Sequence, residues 1–247
     1  MHPSTSDFLE ADGDTQTFAT GQELVQLLRA KTFRQSARRQ ARLREDQGER
    51  FALRQYLMTM ETAGRLAFPL RITKTERPDF WLAGPAGDAG FEITQVTTTE
   101  LSRDTARARR SQAPSMVEYT PTGHRMVAPG GRLTGSGFHG YQDSDRMADL
   151  ATRRVQAKLE RLNSCGFHHA ASDQLLMFEN YGLVLDLSDT DTVGNLAGTL
   201  IALVKGSIAA SPFPRTFDAI HFMVDHLLFV DLLGHCDVLA SPTARAR

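Results

Sequence analysis

Cysteine is scarce in this chain. Cys165 and Cys236 are its only two, too few for a disulfide framework and in no metal-ligand spacing. That excludes stapled scaffolds and thiolate zinc sites and points to a reducing, cytoplasmic setting. A dominant charge is missing too: the formal net charge is −1, so the molecule is not a polycation. No long hydrophobic run is present. The most apolar stretch, Ala219 to Leu233, is broken by His221, Asp225, His226 and Asp231, and is too short and polar to span a membrane. The first residues, MHPSTSDFLEADGD, are polar and acidic and do not read as a signal peptide. The glycines at 130, 131, 135, 137 and 140 follow no strand, and no GK[ST] is present, which rules out a phosphate-binding loop. No internal repeat is visible.

What is present is enough for a sizeable core. Of 247 residues, 41% are hydrophobic, and the length fits one large domain or a domain with arms. Residues 1–46 read as a polar arm followed by a basic helical segment. Within them, Thr20 and Glu23 have capping-box spacing ahead of Leu24, Leu27 and Leu28. Residues 47–240 read as an α/β domain with a long irregular insertion at 97–144, and residues 241–247 as a frayed tail.

The informative stretch is Arg77 to Val96, RPDFWLAGPAGDAGFEITQV. It reads as strand, turn, strand, with Asp79 opening the first strand, the turn between Gly84 and Gly90, and Glu92 inside the second. Phe91 and Ile93 point one way, Glu92 and Thr94 the other. A carboxylate among β-branched and aromatic neighbours is costly to bury unless something compensates. The hairpin brings Asp79 and Glu92 together at one end of adjacent strands. Two converging carboxylates make a hard-oxygen site suited to Mg²⁺ or Mn²⁺. The competing reading is a surface hairpin with two solvated acids.

Helical periodicity places one helix before the hairpin, about Gln47 to Leu66, and one after it, about Arg146 to Asn163. Leu70 to Lys74 alternates like a strand, Gln174 to Phe178 (QLLMF) reads as a buried strand, Asp191 to Ile208 as a helix, and Phe217 to Leu233 as a last strand or pair. In the helix after the hairpin, Lys158 lies beside the apolar seam of Met147, Leu150, Val155, Leu159 and Leu162, so its stem can pack while its ammonium reaches a site. Two basic stretches, Arg29 to Arg44 and Arg103 to Arg110, are candidates to track a phosphate backbone, with Arg38, Arg39, Arg42, Arg107 and Arg110 foremost. The bland alternative for the first of these is a solvated helix face.

The order helix, strand, strand, strand, helix, strand, carrying Pro78-Asp79 and Glu92-Ile93-Thr94, resembles the PD-(D/E)xK nuclease superfamily with its restriction-endonuclease-like fold. RPDFWL followed by GFEIT looks like a branch with PDF and E-x-T signatures. The resemblance covers roughly Glu49 to Tyr181 and rests on short motifs. It implies a central mixed β-sheet flanked by helices. It also implies a metal-dependent nuclease, acting first of all on DNA. In that frame Asp79, Glu92 and the backbone carbonyl near Ile93 hold Mg²⁺ or Mn²⁺. The family pattern has lysine two positions after the glutamate, where this chain has Thr94. Some members supply it from the following helix, the place of Lys158. A glutamate from the first helix often joins the site, and here Glu61 is the first choice and Glu49 the second.

Two other functions compete. Thr94 in the lysine position fits an inactive nuclease-fold protein that binds nucleic acid or a protein partner. A hydrolase built on His124 or His139 with Ser136 has no G-x-S-x-G elbow to support it. The partners expected are nucleic acid, DNA before RNA, no membrane, and a second copy of the chain as a further candidate.

Overall fold

The computed structural model describes residues 8–9, 12–30, 41–96, 125–127, 133–135, 141–179, 190–224, 227–232 and 235–240. The chain is α/β, with a mixed sheet and four helices among these residues. In order they form β1 (Thr15–Phe18), α1 (Gly21–Ala30), α2 (Ala41–Thr62), β2 (Leu70–Lys74), β3 (Phe80–Gly84) and β4 (Gly87–Val96). There follow β5 (Arg125–Val127), β6 (Leu133–Gly135), α3 (Tyr141–Leu162), β7 (Ser172–Glu179) and α4 (Thr190–Ala209). Last come β8 (Ala219–Val224), β9 (Leu227–Leu232) and β10 (His235–Ala240). The main sheet has the strand order β1-β2-β3-β4-β7-β8-β9-β10, and β5 and β6 pair apart from it.

The chain divides into two compact units. One comprises residues 1–95, 157–178 and 211–247, and holds the main sheet; the other comprises 96–156 and 179–210. Helix α3 begins in the second unit and ends in the first. In the second unit, Ala151 and Val155 are buried, as are Leu200, Ile201, Val204 and Ile208 of α4. Gln156 Nε2 donates to the Ser207 carbonyl at 3.1 Å and to its Oγ at 2.7 Å.

In the first unit, α2 supplies Ala52, Leu53, Tyr56, Leu57 and Met60 to the core at helical spacing. Phe80 and Phe91 face each other across β3 and β4, so their side chains share one sheet face. Phe91 meets the Tyr56 ring at 5.0 Å between centroids, and that face is buried. Burial pushes the pKa of the Tyr56 phenol up. His221 of β8 packs against the same two rings, and its Nε2 lies 2.9 Å from Gln174 Oε1.

Several expectations need correction. The stretch read as a polar arm holds packed structure: Phe8 and Leu9 are buried, and β1 pairs antiparallel with β2 at the sheet margin. The signal was there in TQTF, a short alternating run, but its polar context masked it. Helix α2 starts at Ala41, inside the stretch read as a basic arm. The hairpin turn is tighter than Gly84 to Gly90: Gly84 pairs with Gly87, leaving Pro85 and Ala86 between them, with Gly87 at φ 104°, where glycine carries no Cβ penalty. A third C-terminal strand, β10, follows the expected pair. The Thr20 and Glu23 cap forms with a one-residue offset. Thr20 Oγ1 accepts the Glu23 N–H at 3.3 Å, while Glu23 Oε2 takes the Ala19 N–H at 2.8 Å.

Candidate active site

The register that pairs Phe80 with Phe91 places the next residues out, Asp79 and Glu92, opposite one another on the other sheet face. Asp79 precedes β3 instead of opening it, yet its side chain continues the ladder. Asp79 Oδ2 accepts the Ile93 N–H at 2.8 Å, and the Asp79 carbonyl accepts the Thr75 N–H at 3.1 Å. Pro78 is seated on Gly90, where a Cβ would lie 3.0 Å from Pro78 Cγ and 3.2 Å from Asp173 Oδ1, so glycine is needed for this close approach. Asp173 in turn pairs with His169 Nδ1 at 2.7 Å and accepts the Ala170 N–H at 3.2 Å. The backbone around Asp79 is thus held from both sides.

Both carboxylates are enclosed, with Asp79 and Glu92 side chains 4% and 1% exposed. The last turns of α3 answer them with two cations. Lys158 Nζ lies 2.9 Å from Asp79 Oδ2 and 2.6 Å from Glu92 Oε2, and donates to both. Arg161 Nη2 lies 3.0 Å from Asp79 Oδ1, and its Nε lies 3.3 Å from Glu92 Oε1. Arg161 also donates to the Glu76 carbonyl. Positions three apart on a helix share a face, which is why one stretch of α3 delivers both.

On the Phe80 face, Lys74 Nζ reaches Glu49 Oε2 of α2 at 3.3 Å and sits 4.7 Å from the Phe80 ring centroid. Glu49 is close enough for its charge to be felt by Asp79 and Lys158. Counting this neighbouring pair with the site, three carboxylates and three cations, Lys74, Lys158 and Arg161, have a formal sum of zero when all are ionised.

Balance of charge is not balance of energy. Burial pushes the Glu92 carboxyl up to about 7, Asp79 pushes it further the same way, and Lys158 and Arg161 only partly offset this. Burial and then Asp79 likewise bring Glu49 up to about 7 against the pull of Lys74 and Lys158. For Lys158, burial acts downward, but Asp79 and Glu92 outweigh it and the net shift is upward. For Glu92 and Glu49, burial thus outweighs the cations beside them.

The sequence-predicted residues fare unevenly. Asp79, Glu92 and Lys158 come together; Ile93, expected to offer its carbonyl, instead meets the site through its amide, which donates to Asp79. Glu61 does not join them. Its Oε1 lies 1.6 Å from where a Cβ on Gly21 would be, at the start of α1, and twelve residues of helix separate it from Glu49, roughly 18 Å at the usual rise. Glu49 is the α2 glutamate beside the site. Arg42 falls in the first turn of α2; Arg38, Arg39, Arg107, Arg110, His124, Ser136 and His139 lie outside the described residues. Sequence reading missed Arg161, which its spacing from Lys158 makes findable. It also missed Lys74, whose place at the end of an alternating strand gave no hint of burial.

Among the described residues, no three His, Cys, Asp or Glu side chains group closely enough to hold a metal. The pair still fits a hard cation by its donor set: Glu92 Oε1 is buried and has no hydrogen bond, and Mg²⁺ needs only one or two protein carboxylates beside its waters and substrate phosphates. Such an ion would have to compete with Lys158 for the two carboxylates. Among the described residues no helix is long and apolar enough to cross a membrane. No family model, curated protein or solved structure matches the chain.

Proposed function

We propose that the chain is a metal-dependent nuclease that hydrolyses phosphodiester bonds, DNA first, on a restriction-endonuclease-like core of the PD-(D/E)xK kind. The observation that carries this reading is the convergence of Asp79 and Glu92 on one sheet end with Lys158 bridging both. The succession α2, β2, β3, β4, α3, β7, with β4 beside β7 in the sheet, supports the fold reading.

Asp79 and Glu92 would hold Mg²⁺ or Mn²⁺. When bound, such an ion supplies an acidified water and charge relief at the phosphoryl oxygens. Asp79 is fixed by the Ile93 amide and supplies an oriented carboxylate. Lys158 holds its ammonium in the enclosed site between the two acids, where it would steady developing negative charge. Arg161, one-third exposed, has the fork geometry that grips a phosphate. Glu49 tunes the field on Asp79 through the Lys74 pair. An exposed free thiol at Cys165 fits the cytoplasmic setting of this reading.

The test is cleavage of plasmid, linear DNA and RNA with Mg²⁺ or Mn²⁺ by the wild type and by Asp79→Asn and Glu92→Gln. Cleavage lost in both variants while they remain folded supports the reading. Cleavage that survives both removes these residues from the chemistry.

A second reading is favoured by one observation: each carboxylate oxygen of the pair already faces a cation of the chain. In that case the cluster is a structural ion network in an inactive nuclease-fold protein that binds nucleic acid or a protein partner. DNA binding that persists in chelator, with no cleavage in any metal, is its signature.

A further inference from the structure

We infer that Arg161 is an exchangeable cation that ties divalent-metal uptake to phosphodiester binding: it withholds Asp79 and Glu92 from the metal until a phosphate takes its guanidinium. The inference rests on the nuclease reading and specifies how the site is kept closed.

With every group ionised, as metal binding by the acids requires, the cluster of Glu49, Asp79, Glu92, Lys74, Lys158 and Arg161 sums to zero. A divalent ion entering alone leaves two uncompensated positive charges among enclosed groups, which is costly in a low-dielectric site. Entry together with a phosphodiester anion halves that excess. Metal and phosphate are therefore expected to bind as a pair, each raising the affinity of the other by the same factor.

Geometry then identifies the group that moves. Lys158 is 14% exposed and makes two short bonds; Arg161 is 32% exposed and holds Glu92 at 3.3 Å, without a hydrogen bond to Oε1. It also reaches Asp79 Oδ1 at 3.0 Å, longer than either Lys158 contact, and its third anchor is the carbonyl of exposed Glu76. Arg161 is thus the cation with the weaker hold and with access to solvent. A guanidinium that spans two carboxylates can span two phosphate oxygens by the same fork.

Free Mn²⁺ measured by electron paramagnetic resonance, with the full chain and with or without a short DNA duplex, tests this. For the wild type, DNA should tighten apparent Mn²⁺ binding by tenfold or more. Arg161→Gln should bind Mn²⁺ more tightly than wild type without DNA, and DNA should then change its affinity less than threefold. Arg161→Lys, which keeps a charge but not the fork, should fall between. Circular dichroism checks that the variants are folded, and the wild-type arm decides the matter even if one is not. Equal Mn²⁺ affinity with and without DNA in wild type overturns the inference, as does an undiminished DNA effect in Arg161→Gln. A parallel cleavage gel separates the two claims. Cleavage without coupling sinks the exchange; coupling without cleavage sinks the nuclease reading; no Mn²⁺ uptake in either condition sinks both.

Discussion

Replacing Glu92 with glutamine in metal-free protein should change how stability depends on pH. The Glu92 carboxyl stands at about 7 in the folded chain against an ordinary value near 4.5. A carboxyl raised on folding favours the folded state below its unfolded value, and that advantage fades as pH climbs through the folded value. At about 1.4 kcal/mol per pH unit, the span from 4.5 to about 7 amounts to on the order of 3 kcal/mol lost between roughly pH 4.5 and 7.5. Glutamine keeps the size of the side chain and removes the titration. Fixed costs of the amide, such as its NH₂ facing Lys158 or Arg161, are the same at every pH and cancel in a comparison of differences.

Urea unfolding of wild type and Glu92→Gln in chelator at pH 5 and pH 8 reads this directly. From pH 5 to pH 8 the variant should gain on wild type by about 2 to 3 kcal/mol, or roughly 5–10 °C in Tm for a chain of this size. Glu49, coupled to the same field and also near 7, adds to the wild-type slope and remains in the variant. A difference that stays constant with pH, or that moves in favour of wild type, refutes the claim that Glu92 is under-compensated.

Lys158→Met removes the ammonium shared by two enclosed carboxylates and should destabilise the metal-free protein by about 3–5 kcal/mol at pH 8, with Mn²⁺ restoring part of the loss in a thermal melt. Gly90→Ala forces a Cβ against Pro78 and Asp173, so urea unfolding should show a loss of about 1–3 kcal/mol, and cleavage should fall with it because Pro78 carries Asp79. Glu49→Gln should lower cleavage and shift its pH profile, whereas Glu61→Gln, at the far end of α2, should leave both within twofold; equal effects would contradict the placement of Glu49.

The acidic pair was legible because two signals coincided. A proline-led apolar run and a glycine-rich turn defined a hairpin, and a period of two put Glu92 opposite the face of Phe91. Lys158 was legible from its place beside an apolar seam. Arg161 was not, because an arginine in the last turn of a helix has an ordinary reason to be there. The choice between Glu49 and Glu61 failed on a different point. Glu61 is nearer the hairpin in sequence, but α2 runs away from the site, and its early turns bring Glu49 to Lys74. Proximity along the chain was a poor guide to proximity in space. At the margins, β1 and β10 escaped notice because TQTF and HCDVLA are short and mixed in polarity, and only pairing with β2 and β9 makes them strands.

Anomalous scattering from Mn²⁺ in crystals of the chain with a short DNA duplex addresses the central claim most directly. The account predicts a peak bound by the carboxylates of Asp79 and Glu92, with the Lys158 ammonium withdrawn from at least one of them and Arg161 turned to a phosphate. No peak there, with Lys158 and Arg161 still gripping both acids, would contradict it.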